Sequence, residues 1–427
     1  MRLLRVAAAG VAAVAALAGA WLLVGSAWAA RREREADRAF DEAFGPRAAL
    51  EAKYGVAASN AEALKAEELA RAVGFDLRPR KGRDNVATTG TAAPNADRVA
   101  IGDYVKEQVA RADDAVPPPP AAAAAVLESR RVALSALEDS LVTRAAPRWA
   151  FDPHVDYEER LVPNALGHIQ IQRLLIADAL SRAARREDGA AARALEASWK
   201  LNEGLTSRPE IVSELVAIAV ARYEAGALRM FEASADAWTP RLAAMGSRAL
   251  LVDGLVLQHR TSTNMLARIR SLRPEGVGWW AHNLVSVLQE PGERLAWANY
   301  GKDWARSLAE LRDEPAFRER APDPKPGWST SAVIMSITVP NIRNSFERAD
   351  RLALEAELTG KILRARAARA ATGAWPPPSS EIAASRFPGL TWNYAVDGGA
   401  MKIALNGELP PLKSPLVLPT SFSAKTP

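Results

Sequence analysis

The 427-residue chain contains no cysteine and only four histidines. The first absence excludes disulfides, thiolate metal sites, a cysteine nucleophile and attachment of a lipid to an N-terminal cysteine. Folding then rests on packing alone, which a chain of this length with 48% apolar residues can supply. An excess of one charge sign is also missing, because 55 Lys and Arg against 50 Asp and Glu leave a net charge of only +5. Arginines alternate with acids along helical stretches such as Arg182, Arg185, Arg186, Glu187 and Asp188. That pattern describes solvated helix faces, and no nucleic-acid partner is expected.

Recognisable catalytic motifs are missing as well. The chain has no G-x-S-x-G elbow, phosphate-binding glycine loop or dinucleotide fingerprint, and no histidine has a second histidine four residues on. No cofactor is expected, and catalytic residues are unknown from the sequence.

A long apolar run is present once. Arg2 and Arg5 precede an uncharged stretch from Val6 to Ala29, and Arg31 and Arg32 end it. As a helix rising about 1.5 Å per residue it spans roughly 36 Å, enough for the hydrocarbon core of a bilayer. Two readings of residues 1–30 stay open at this point. Ala27-Trp28-Ala29 supplies the small-x-small pattern of a cleaved signal peptide, whereas the length favours a retained anchor. Either way the chain is expected to be targeted to a membrane. It would be anchored in the inner membrane facing the periplasm or the cell exterior, or released after cleavage.

Beyond the run, helical signals dominate. Residues 31–120 read as juxtamembrane helices and linker. They include a helix from about Asn60 to Val73 stopped by Gly74, a polar linker over Arg78 to Arg98, and the Pro117–Pro120 spacer. Residues 121–312 read as a helical core. Its most apolar helix follows Pro209 and carries the adjacent rows Ile211, Leu215, Ile218 and Val212, Val216, Val220, a surface broad enough to demand several neighbours. Residues 313–343 read as a loop-rich boundary. Residues 344–427 read as a long helix ending near Gly373, a strand pair at Leu390–Val396 and Met401–Leu405 turned by Asp397-Gly398-Gly399, and a loose proline-rich tail. Val162-Pro163-Asn164 and Val339-Pro340-Asn341 both read as helix entries, with asparagine as the cap. The expected fold is mainly α, a helical bundle or irregular helical array with a small α/β tail and an N-terminal transmembrane or signal helix.

Several polar groups are candidates for chemistry. Asp152, His154 and Asp156, with Glu158 and Glu159 beside them, offer oxygen and imidazole ligands in a short loop, a set able to hold a divalent cation if folded inward. The alternative is a solvated acidic loop. His168 and Gln172 lie one helical turn apart, as a base and orienting amide would or as a buried polar contact would. Glu203, Glu210 and Glu214 surround the most apolar helix with Arg208 and Arg222 nearby. Unpaired and buried they would be site carboxylates; paired they would be interhelical ties. Trp279-Trp280 is the aromatic pair to expect at a partner or bilayer contact.

The segment Leu352 to Leu405 joins a long Ala/Leu/Arg helix to Gly373-Ala374-Trp375-Pro376 and then to short strands carrying Trp392, Tyr394 and Asp397-Gly398-Gly399. In this it resembles the C-terminal part of type II secretion pseudopilins, over about an eighth of the chain. The resemblance implies a small α/β tail. The Gly-Phe cleavage site and following Glu that pseudopilins carry before their apolar helix are missing at this N terminus. The broader layout resembles uncharacterised exported bacterial helical proteins. These readings together lead to the expectation of a membrane-anchored extracytoplasmic scaffold or interaction protein of the bacterial envelope, with a protein partner there. The alternatives are a divalent-metal hydrolase using Asp152, His154 and Asp156, or an accessory subunit of a transport or secretion assembly.

Overall fold

Local signals set several helix ends in the computed structural model, which describes residues 2–81, 94–155, 159–261, 279–317, 330–409 and 420–424. Asn60 caps helix α3 (Ala61–Val73) by accepting from the Ala63 amide, and Gly74 closes it at φ 100°, a left-handed conformation that favours glycine. Pro120 leads into α5 (Ala121–Thr143), where its missing N–H is no loss. Asn164 caps α6 (Ala165–Ala184) through the Gly167 amide. The order of the remaining helices is α1 (Arg2–Phe44), α2 (Arg47–Tyr54), α4 (Asn95–Val109), α7 (Asp188–Thr206), α8 (Ile211–Leu228), α9 (Ala235–Ala244), α10 (Arg248–Thr261), α11 (Trp279–Asp313), α12 (Thr330–Thr372) and α13 (Ser380–Ala383). The fold is mainly α, as the residue pattern predicts.

The helix boundaries depart from expectation at several places, and residues 330–343, expected within a loop-rich boundary, are the first turns of α12. Arg31 to Phe44 is not a separate juxtamembrane helix but the continuation of α1, one helix of 43 residues. Pro340 does not open a helix; it lies inside α12, whose preceding turns bury Met335 and Val339. Proline removes one helical hydrogen bond, and tertiary packing on both sides keeps the helix running through the defect. Pro291 likewise sits inside α11 without ending it. The helical pattern expected through Met265, Ile269 and Leu272 lies outside the described residues.

Strands are few. β1 (Arg80–Lys81) pairs with β2 (Leu161–Val162). β3 (Thr391–Asp397) and β4 (Ala400–Asn406) form an antiparallel hairpin whose turn residues Gly398 and Gly399 both take positive φ, 56° and 80°. Such a two-residue turn matches the right-handed twist of the strands it joins. β5 (Ser421–Ala424), which the sequence pattern did not announce, adds to the outer edge of β4 and buries Phe422 and Ala424.

The chain divides into two units, each built from separated stretches. Unit 1 comprises Met1–Lys53, Val256–Glu314 and Ala321–Arg343; unit 2 comprises Tyr54–Leu255, Pro315–Arg320 and Asn344–Pro427. Unit 1 rests on α1 and α11 running in parallel. Trp21 Nε1 donates to the Leu288 carbonyl at 2.7 Å, Glu33 meets Arg294 at 2.6 Å, and Arg312 donates to the Ala43 carbonyl at 2.8 Å. Gly25 lies so close to Pro291 that a Cβ there would sit 2.8 Å from the ring. In unit 2, α6, α7 and α8 pack together around a fully buried set that includes Ile171, Leu174, Leu195, Leu201 and Val220.

Candidate functional site

Among the residues singled out by the sequence, the acidic loop is engaged within itself. The Asp152 carboxylate accepts from the backbone amide of His154 at 2.9 Å, and the Asp152 and Val155 carbonyls accept from the Arg160 guanidinium. Glu159 pairs with Lys81 at 2.7 Å across the β1–β2 region. His154 is exposed, and Asp156 and Glu158 lie outside the described residues. Among the described residues no group of three His, Asp or Glu side chains converges as metal ligands do.

His168 and Gln172 are completely buried on α6, and the Trp149 ring meets the His168 ring edge-on at 4.7 Å. Among the described residues neither ring nitrogen of His168 and neither amide atom of Gln172 has a hydrogen-bond partner. Burial, reinforced by the Arg208 charge, pushes the His168 pKa down to about 3, so the imidazole is neutral. A neutral polar pair sealed from solvent is suited to internal water and is out of reach of a substrate.

The glutamates separate into two kinds. Glu210 is a tie: both of its oxygens accept from Arg208 at 2.9 Å, and Arg208 also donates to the Ala150 and Leu161 carbonyls. Glu203, half of whose side chain is exposed, stands 3.7 Å from Lys200. Glu214, one turn into α8, is different. It is 2% exposed, its Oε1 has no partner among the described residues, and burial together with the negative charges of Asp253 and Glu210 raises its pKa well above the ordinary carboxyl value.

Glu214 borders a cavity of about 210 Å³ inside unit 2. α7 supplies Trp199 and Asn202, α8 supplies Glu214, Ala217 and Ile218, and Leu250 and Leu352 add apolar wall. Ala244 and Ser247 at the rim are exposed, which leaves the cavity a mouth. Asn202 donates from Nδ2 to the Ala217 carbonyl at 3.2 Å and to Glu224 at 3.3 Å, while its Oδ1 is buried without a partner. Among the described residues the cation at the wall is Arg241, and it is already committed: its guanidinium forks onto Glu196 and stacks on Trp238 and Trp199 at 4.8 and 5.4 Å. The helical rows of α8 pointed to burial of this region. Among the described residues no cation pairs with Glu214, in contrast to Glu203 with Lys200 and Glu210 with Arg208.

A second, larger cleft of about 420 Å³ is lined by the charged side chains of Asp114, Arg186, Asp188, Glu232, Arg366 and Arg369 together with Trp375. Arg186 sits just past α6 at φ 61°, the left-handed position that ends a helix and usually holds glycine. Arg366 is 6% exposed and donates to the Phe231 and Arg229 carbonyls at 2.9 and 2.8 Å. Trp375, the aromatic of the Gly-Ala-Trp-Pro stretch, stacks under Arg369 at 4.6 Å and donates to the Gly399 carbonyl at 2.9 Å, pinning the β3–β4 turn to the end of α12. Acids and arginines balance in this cleft, and each of these contacts has a structural role.

The remaining surface feature is α1, which is long and apolar enough to span a membrane or to be a signal sequence. Leu17 and Leu23 on it are 71% and 75% exposed. Further along the same helix Ala29 and Phe40 are buried, Phe40 in a stack with His259 at 4.5 Å, which in turn lies 5.4 Å from Trp297. Trp279 and Trp280 form the first residues of α11. Compared with known proteins, the chain matches no family model, no curated protein and no solved structure.

Proposed function

We propose that the chain is a membrane-anchored extracytoplasmic helical scaffold or interaction protein of the bacterial envelope, with residues 1–29 retained as the anchor. The observation that carries this reading is the position of the small-residue cleavage pattern. Ala27-Trp28-Ala29 falls in the middle of an unbroken helix, and Ala29 is fully buried. Proteases act on exposed, locally extended chain, so opening this bond requires unwinding α1 and withdrawing it from α11. Cleavage would also discard the Trp21 bond to the Leu288 carbonyl and the close packing of Gly25 on Pro291. Meanwhile Val14 and Leu17, ahead of Trp21, are 67% and 71% exposed, an arrangement that hydrocarbon relieves and water does not.

Trp279 and Trp280, the first residues of α11, are the pair expected at a bilayer or partner contact, because tryptophan favours the interfacial region of bilayers.

Cross-linking in intact cells followed by mass spectrometry of the detergent-extracted protein tests the reading. The expected result is a chain that stays with membranes through an alkaline carbonate wash, yields the peptide containing Met1 to Arg31, and carries one reproducible partner. A soluble chain beginning at Ala30 would overturn the anchor, and a membrane-bound chain with no partner would overturn the scaffold.

A further inference from the structure

The Glu214 cavity has a chemical bias that its own residues leave unanswered. Two oxygens at its wall, Glu214 Oε1 and Asn202 Oδ1, are buried and accept from nothing among the described residues. Buried acceptors without donors are rare in folded proteins because each forfeits the hydrogen bonds it made in water. Asp253 on α10 and Glu210 on the preceding turn both act on Glu214 as negative charges, although Glu210 is itself paired with Arg208. Asp253 also accepts from the Tyr54 hydroxyl at 2.6 Å. Arg241 is held by Glu196 and by two indole rings, and Glu203 adds a further acid at the cavity. Among the described residues, no cation or other donor reaches Glu214 Oε1 or Asn202 Oδ1. The rest of the wall, Ala217, Ile218, Leu250 and Leu352, is apolar.

We infer that this cavity binds a small organic cation, a primary amine with a short apolar body, whose ammonium group donates to Glu214 and Asn202 while its hydrocarbon part lies against α8 and Leu352. An ammonium supplies three donors and one positive charge, so it meets both acceptors and compensates the charge that Glu214 takes on when its proton leaves for solvent. A neutral alcohol of the same shape supplies one donor and no charge. An anion would meet two buried oxygens and no available cation. The volume of about 210 Å³ admits a compact ligand and excludes a peptide or an oligosaccharide.

The test uses the full chain in detergent and a pair of probes, isoamylamine and isoamyl alcohol, followed by titration calorimetry and by the fluorescence of Trp199, which borders the cavity. A third probe, isovalerate, reverses the charge. The expected order is amine well ahead of alcohol, by about tenfold or more, with no binding of the carboxylate. Glu214→Gln keeps the size and removes the ionisable group, and is expected to bring the amine down to the level of the alcohol. Ala217→Leu fills the cavity and is expected to abolish binding of both. Because the wild-type comparison of amine with alcohol stands by itself, the inference does not depend on either variant folding. Equal binding of amine and alcohol, binding of neither, or preference for isovalerate would each overturn it.

Discussion

Gly167 and Gly360 look alike in the sequence, each a glycine inside a helix, and the packing around them is opposite. A Cβ on Gly167 would lie 2.0 Å from the Asp76 carbonyl oxygen, so α6 can approach that loop only without a side chain. At Gly360 an added Cβ would meet nothing within 4 Å, although the residue is buried, because it borders a separate cavity of about 400 Å³. Gly167→Ala is therefore expected to destabilise unit 2 by about 3 kcal/mol or more, since backbone must move to admit it. Gly360→Ala is expected to stabilise it by about 1 kcal/mol through helix propensity alone. Urea unfolding of the two variants beside the wild type measures both. Equal and small effects would show that the Asp76 loop yields freely. Glu214 makes the same point in charge: its isolation is invisible beside Glu210 in the sequence, where both flank an apolar helix start, and arises only because Arg208 turns to Glu210.

Between elements, α12 is held to α8 and α10 by polar side chains inserted among apolar ones. Arg222 donates to Glu355 at 3.0 Å, Arg248 to Asp350 at 2.7 Å, and Arg229 to Thr359 at 3.0 Å. Glu355 and Thr359 are almost completely buried. Removing one partner of such a pair strands the other charge, so Glu355→Ala is expected to lower stability by about 3–5 kcal/mol, with Arg222→Met/Glu355→Leu recovering most of the loss. A double variant no better than the single one would show that the pair positions α12 rather than merely neutralising itself. These ties also mark what the sequence can and cannot express. Asn60 and Gly74 around α3, Asn164 before α6 and the Asp397-Gly398-Gly399 turn were legible because each acts on backbone within a few residues. Pro340 reads as a helix start in the sequence, but burial of Met335 and Val339 in the preceding turns overrides that local preference. β5 escaped notice because four residues, Ser421 to Ala424, become a strand only when β4 offers an edge. The pairing of Arg222 with Glu355 spans 133 positions and leaves no periodic trace. The short spacing of Asp152, His154 and Asp156 does not report that the Asp152 carboxylate turns to its own backbone, and Asp156 lies outside the described residues.

For the whole molecule, buried titratable groups give stability two opposing slopes with pH. Burial pushes His168 down to about 3 and His259 to about 4, against about 6.5 for an unfolded imidazole. Below about pH 6.5 the unfolded chain therefore takes up protons that these folded rings refuse, and stability falls as pH drops toward the folded values. Carboxyls act in the other direction. Burial pushes Glu224 up to about 7 despite the hydrogen bonds it accepts from Ser198 at 2.7 Å and Asn202 at 3.3 Å, and Glu214 is raised as well. Above about pH 4.5 the unfolded chain releases protons that these folded groups retain, so their contribution to stability falls as pH rises to about 7. The two slopes oppose each other between about pH 4.5 and 6.5, and the maximum is expected there. Glu224→Gln keeps the shape and both neighbours, since Ser198 can accept as readily as it donates. It is expected to melt several degrees above the wild type at pH 8, on the order of 2–3 kcal/mol, and to converge with it below about pH 4.5, where both side chains are uncharged in either state. Thermal melts of the detergent-solubilised chain from pH 4 to pH 9 read both limbs. Parallel profiles for wild type and variant would mean that Glu224 ionises in the folded protein as it does in the unfolded one, and that Ser198 and Asn202 suffice to solvate its charge.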